Sequence, residues 1–141
     1  MPTRKASAVW EGGFRGGSGS FNGESGTISG KYTAGSRFEE DPGTNPEELL
    51  AAAHAACFSM ALSVQLDKNG TPPTRIETNA ACTVEKVGEG FGITTMRLTT
   101  RATVPNIDNA KFQELAKAAV EGCPVSQVLK IPNVQLEAAL V

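Results

Sequence analysis

The sequence predicts an α+β domain in which antiparallel sheets gather around one long central helix. Three observations lead there. The elements read as strands, one helix, a hairpin, two helices and a last strand, without the βαβ alternation of a parallel sheet. The stretch Thr44 to Gly70 carries no formal charge between Leu49 and Leu66 and has apolar residues on every face, the pattern of a helix buried all round. Much of the glycine lies before residue 45, where turns join short strands. A chain of 141 residues is long enough for a single domain, residues 1–141, with a real core.

Each element has a local reason. Ala6 to Trp10 alternates and reads as a strand, followed by a flexible turn over residues 12–19. Ser20 to Ser29 contains a second strand, broken by Gly23 and Gly26, and residues 30–44 read as a loop with one short strand around Arg37. The central helix opens with Thr44 or Asn45 as N-cap, Pro46 at the first helical position and Glu47 and Glu48 in the first turn; it closes with Lys68 and Gly70. Pro72 and Pro73 break the chain. Arg75 to Val87 alternates with Ile76, Ala80, Cys82 and Val84 on one face, and Gly88-Glu89-Gly90 turns it into a partner strand from Phe91 to Val104. Asp108 caps a helix to about Glu121, with Phe112, Leu115, Ala116 and Ala119 as its apolar stripe and Gly122 as its stop. Pro124 makes Cys123 the N-cap of a short helix through Lys130, and Asn133 to Leu140 is a last strand.

Composition excludes several function classes. A net charge of −2 and 6% aromatics give no nucleic-acid surface. The central helix is long enough to cross a membrane, but it is mostly Ala and Ser and carries His54 and Gln65, so a membrane span is not expected. No basic, apolar leader is visible, and three cysteines without a CxxC pair point to a reducing compartment, hence the cytoplasm. Gly26-Thr-Ile-Ser-Gly30-Lys31 is one residue short of a phosphate loop, with Tyr32 where Ser or Thr is required, and Gly17-Ser-Gly19 fails the dinucleotide pattern.

The chemistry-bearing candidates are therefore sulfur and charge. Cys82 falls on an inward strand face and reads as packing. His54 and Cys57 lie three apart on one helical face. They are two conceivable zinc ligands with Cys123 as a third, but a core histidine satisfied by a backbone carbonyl or a polar side chain is the favoured reading. A reactive thiol needs a helix N-terminus or a cation: Cys123 has the first, and Cys57 needs the second, with Arg37 and Arg15 on nearby loops. Spacing alone favours Cys123 as nucleophile. Glu47 and Glu48 are helix-start residues first. Glu47 lies ten residues before Cys57, about 15 Å along the helix axis, so it cannot act on the cysteine of its own helix. Either the loop folds far back or a second chain contributes, through close packing of two small-residue helices.

The stretch Thr44-Asn-Pro-Glu-Glu-Leu-Leu-Ala-Ala-Ala-His-Ala-Ala-Cys57-Phe-Ser-Met-Ala-Leu-Ser resembles the OsmC/Ohr family, and its OsmC branch most closely. So do Gly122-Cys123-Pro-Val-Ser-Gln-Val-Leu-Lys130, Trp10-Glu11-Gly12, Glu24-Ser25-Gly26, Arg37-Phe38-Glu39 and Gly90-Phe91-Gly-Ile-Thr. The resemblance implies an intertwined homodimer with antiparallel sheets around two long helices and a site at each end of the interface. It implies a hydroperoxide reductase of oxidative and osmotic stress defence, without metal or flavin, regenerated by a dithiol for which a lipoyl-type group is a candidate. By position it makes Cys57 the peroxidatic and Cys123 the resolving cysteine, Arg37 the thiolate-stabilising arginine and Glu47 its orienting carboxylate. Glu48 ranks behind Glu47, and Arg15 competes with Arg37. The competing reading is a non-enzymatic dimer that binds an apolar ligand and uses its cysteines for packing.

Overall fold

The computed structural model describes residues 1–141. Its contacts divide into two compact units, Met1–Leu49 and Leu50–Val141.

The first unit is a three-stranded antiparallel sheet in the order β1 (Ala6–Glu11), β2 (Ser18–Gly23), β3 (Ser29–Tyr32). The strand expected over Ser20 to Ser29 is in fact two strands. The chain reverses where its glycines lie: Gly26 has φ +75°, and the Gly23 N–H donates to the Ile28 carbonyl. Gly19 is required by packing, since a Cβ there would sit 2.5 Å from the Tyr32 ring and 2.8 Å from that of Trp10. Every residue of β1 is exposed. The short strand expected around Arg37 is instead a helix, α1 (Ala34–Phe38). Its cause is a capping box: the Ser36 N–H donates to Thr33 Oγ1 and the Thr33 N–H to Ser36 Oγ. The Ser36 hydroxyl also donates to the Thr44 carbonyl, tying α1 to the start of the next helix.

That helix, α2 (Pro46–Lys68), begins as expected, with Asn45 Oδ1 accepting from the Glu48 N–H. Beyond its first turn it belongs to the second unit. There β4 (Arg75–Val87) and β5 (Gly90–Thr103) form an antiparallel hairpin, and β6 (Asn133–Leu140) lies beside β5. The expected inward face of β4 is borne out: Ile76, Ala80 and Cys82 stand opposite Ala102, Leu98 and Met96. A bulge inserts Thr94, so that Ile93 still meets Val84 on that face. The α+β class holds, but the expectation of purely antiparallel sheets does not, because β6 runs parallel to β5. Two helices, α3 (Asn109–Gly122) and α4 (Pro124–Leu129), lie between these strands and carry the chain back to where β5 began, as a parallel neighbour requires.

The core of this unit is built by α2, β5 and α3: Phe58, Leu62 and Leu66 meet Met96, Leu98 and Ala102, and the expected stripe Phe112, Leu115, Ala116, Ala119. Asp108 caps α3 through the Lys111 N–H. The expectation of a helix buried all round is overturned. His54, Phe58, Leu62 and Leu66 form one buried stripe at four-residue spacing. Ala52, Ala53, Ala56, Met60 and Val64 lie exposed, Met60 at 72%. The apolar residues on every face presume a cover on every face, and one chain supplies it on one side.

Candidate active site

Two constellations carry chemistry, one in each unit. In the first, Arg37 stands in the last turn of α1 and Glu47 in the first turn of α2. The guanidinium grips the carboxylate with its Nε–Nη2 edge: Nη2 donates to Oε1 at 2.7 Å, and Nε lies 3.1 and 3.2 Å from Oε1 and Oε2. Such a fork-on-carboxylate pair fixes orientation as well as charge. Glu47 is buried while the Arg37 side chain keeps 37% of its surface open, so the pair presents a positioned cation to the outside. The Phe38 ring lies 5.1 Å beneath the guanidinium carbon. The other charged candidates are not brought here. Arg15 is exposed on the turn between β1 and β2 without an ion pair, and Glu48 accepts from Thr44 Oγ1 as part of the helix start.

In the second unit, Cys57 and Cys123 meet with their sulfurs 2.8 Å apart, both as free thiols. Cys57 is mid-helix in α2. Cys123 is the N-cap of α4, placed there by Pro124 at the first helical position. The two sulfurs differ in access. Cys123 is completely buried, whereas Cys57 is partly exposed and opens on a cavity of about 380 Å³ whose walls are mostly apolar, Met60, Ala61, Val64 and Pro124, with Gln65 and Lys68 on its rim. They differ in charge as well. Burial raises the Cys57 thiol, and its hydrogen bond with Cys123 raises it further. Burial pushes Cys123 the same way, but Cys57, the Ser126 amide and hydroxyl and the Val125 amide outweigh it and bring Cys123 below the ordinary thiol value. No cap hydrogen bond of good geometry closes on the sulfur, so this is attraction from the open helix start rather than a formed cap. Within this unit the ionised sulfur is favoured at Cys123 and the accessible one is Cys57.

The remaining candidates have structural partners. His54 is fully buried and its Nε2 lies 2.5 Å from Ser126 Oγ, the polar side-chain partner expected for a core histidine. Burial lowers its pKa below 6.5. Cys82 faces inward from β4 against the core. Ser126 escaped the sequence reading, although its position three residues after an N-cap cysteine was the signal that it stands beside that sulfur.

Residues 38–137 match the model of a family described as OsmC-like protein. The chain is 48% identical over 128 residues to Peroxiredoxin OsmC of Escherichia coli (strain K12), covering 90% of each. The chain belongs to the OsmC-like protein family. It is also 37% identical over 93 residues to the organic hydroperoxide resistance protein OhrB of Bacillus subtilis (strain 168), covering 65% of this chain and 66% of that one. The crystal structure of OhrB from Bacillus subtilis superposes with a TM-score of 0.72 at 28% identity, over 97% of this chain and 98% of that one. Membership of the OsmC-like family thus rests on sequence and fold together, and two separated cysteines with a paired arginine are the chemistry it has to explain.

Proposed function

We propose that this protein is a thiol-dependent peroxidase that reduces organic hydroperoxides, and hydrogen peroxide more weakly, in oxidative and osmotic stress defence in the cytoplasm. The observation that carries this reading is the asymmetric thiol pair: two free sulfurs 2.8 Å apart, one sealed and one opening on an apolar cavity. A peroxide reaching the pair meets Cys57 first, which makes Cys57 the attacking sulfur and Cys123 the resolving one. The names of the Escherichia coli and Bacillus subtilis relatives, a peroxiredoxin and an organic hydroperoxide resistance protein, support the same chemistry.

The Cys57 thiolate attacks the distal peroxide oxygen, the O–O bond breaks, and alcohol or water leaves with a proton. Cys57 becomes a sulfenic acid. Cys123 displaces its hydroxyl to form a disulfide and water, and an external dithiol, of which a lipoyl group is one candidate, restores both thiols. The walls Met60, Ala61 and Val64 suit the organic part of the substrate.

The raised Cys57 thiol requires a cation, and Arg37, oriented by Glu47, is the one we assign to it. The helix rise separates Glu47 from the Cys57 of its own α2 by about 15 Å. We therefore place the working unit in a homodimer of single OsmC-like domains, in which one chain's Arg37 and Glu47 complete the other's thiol site. The uncovered features are those such a dimer would bury: the exposed β1, the Ala52, Ala53, Ala56, Met60 face of α2, and a cavity of about 820 Å³ walled by Ala6, Ala8, Phe21, Ile28 and Leu49. The test is turnover of cumene or tert-butyl hydroperoxide with a dithiol. Cys57→Ser should lose it by about a thousandfold or more, and full activity in that variant ends the proposal.

A further inference from the structure

The mechanism above uses both sulfurs and leaves the buried histidine unemployed. His54 has its Nε2 on Ser126 Oγ, while its Nδ1 is buried with no hydrogen-bond partner. Packing alone gives no reason for an imidazole there, since burying an unpaired ring nitrogen costs energy that an apolar side chain would not. Its position is more telling. His54 and Cys57 are three residues apart on α2. Ser126 and Cys123 are three residues apart at the start of α4, at the N-cap and third helical positions of an open helix start, and the Ser126 hydroxyl acts on the Cys123 sulfur. The two pairs face each other, sulfur to sulfur at 2.8 Å and imidazole to hydroxyl at 2.5 Å. Four groups able to give or take a proton are thus gathered on two neighbouring helix turns, with the Ser126 hydroxyl acting on the Cys123 sulfur as well as on the imidazole.

We propose that His54 serves, through the Ser126 hydroxyl, as the proton acceptor for the resolving thiol Cys123, an inference that rests on the peroxidase reading. When Cys57 has become a sulfenic acid, the Ser126 hydroxyl turns its one hydrogen from the Cys123 sulfur to His54 Nε2, and the Cys123 S–H bond breaks toward Ser126 Oγ as the Ser126 proton passes to the imidazole. The Cys123 sulfur attacks the Cys57 sulfur; the S–S bond forms and the S–O bond of the sulfenic acid breaks. The Ser126 hydroxyl then gives a proton to the leaving hydroxide and recovers one from His54 Nε2, bypassing the bonded Cys123 sulfur, so the products are one disulfide and one water. Cys123 is oxidised, Cys57 is reduced, and the relay ends as it began. The burial that lowers the His54 pKa keeps the ring neutral and ready to accept at pH 7. The titratable groups joined to the path are Cys57 and Cys123, and no carboxylate or cation contributes to the His54 pKa.

The experiment mixes reduced protein with one equivalent of tert-butyl hydroperoxide and no dithiol. It follows Cys57 sulfenate by dimedone trapping and disulfide by thiol count, from pH 6 to 9.5. In His54→Asn and Ser126→Ala, disulfide formation should slow about tenfold or more at pH 7, with dimedone adduct accumulating on Cys57. The rate in these variants should climb with pH as the thiol ionises by itself, whereas the wild type stays nearly flat. Ser126→Thr, which keeps a hydroxyl, should restore most of the rate. Wild-type disulfide formation should also slow in deuterium oxide, a reading that needs no variant to fold. Variants that match the wild type in rate and pH profile, or that slow peroxide attack and disulfide formation equally, overturn the relay, as does a solvent isotope effect of one. A wild type that consumes no peroxide overturns the peroxidase reading instead.

Discussion

The charge pair of the first unit and the thiol pair of the second are assembled in opposite ways. Arg37 and Glu47 are ten residues apart and meet because a capped turn of helix and a helix start bracket a short loop. Cys57 and Cys123 are 66 residues apart and meet only once α2, β5 and α3 have packed into a core. The cation is held by hydrogen bonds and kept open; the sulfurs are held by packing and one is sealed. Activation by charge is thus a local property of the chain, and sulfur chemistry a property of the folded unit. Mutations in the two regions should differ accordingly, one kind acting chiefly on the pH dependence of the rate and the other chiefly on stability.

The largest effect should come from the cation. Arg37→Ala removes the charge assigned to Cys57, whose loss on a neighbouring thiol is worth about 1–3 pKa units. The second-order rate with tert-butyl hydroperoxide at pH 7 should fall by about 10- to 1,000-fold and recover as pH rises and the thiol ionises unaided, and the thermal midpoint should drop as well, because the buried Glu47 carboxylate loses its partner. Arg37→Lys should recover only part of the loss, because an ammonium cannot offer Glu47 the two nitrogens of a planar edge. A flat deficit across pH would break the contrast. In the other region, Leu62→Ala opens a cavity under the fully buried stripe of α2. Urea unfolding should show about 2–5 kcal/mol of destabilisation, with a lowered rate of disulfide formation as the sulfurs lose their backing.

Smaller effects sharpen the comparison. Thr33→Ala removes one half of the capping box on α1 and should cost about 1 kcal/mol, visible chiefly as a weakened Arg37 effect on peroxide rate rather than as global unfolding. The smallest is a pH effect. His54 has its folded pKa below 6.5, so the fold favours the neutral ring. That contribution is present above about pH 6.5 and is lost as pH falls through the folded pKa. Urea midpoints compared between pH 7.5 and 5 should drop more for the wild type than for His54→Gln; equal drops would remove His54 from the acid response.

What could be read from the chain follows the same division. Helix starts and stops were legible because Asn45, Asp108, Pro124 and Gly122 act on neighbouring backbone, and the α3 stripe because its period is local. The α1 turn was not, since its box closes with Ser36 where a Glu or Gln is the usual signal. The parallel placement of β6 was not, because an edge strand's direction is chosen by the crossover before it rather than by its own residues. For the site, the residue types and the helix start beneath Cys123 were visible, while the choice of Cys57 as attacking sulfur came from the resemblance. The structure adds the difference in access, which depends on packing across 66 residues of chain.

That separation has a thermodynamic consequence. A bond between Cys57 and Cys123 would close a loop of 66 residues, which on the chain-entropy account restrains the unfolded ensemble by about 4 kcal/mol. Folding and redox state are then linked equilibria in the second unit. Each reduction by a dithiol returns a looser protein, and each peroxide consumed leaves a more tightly held one. A catalyst that is most robust when spent is protected through the oxidative stress it answers.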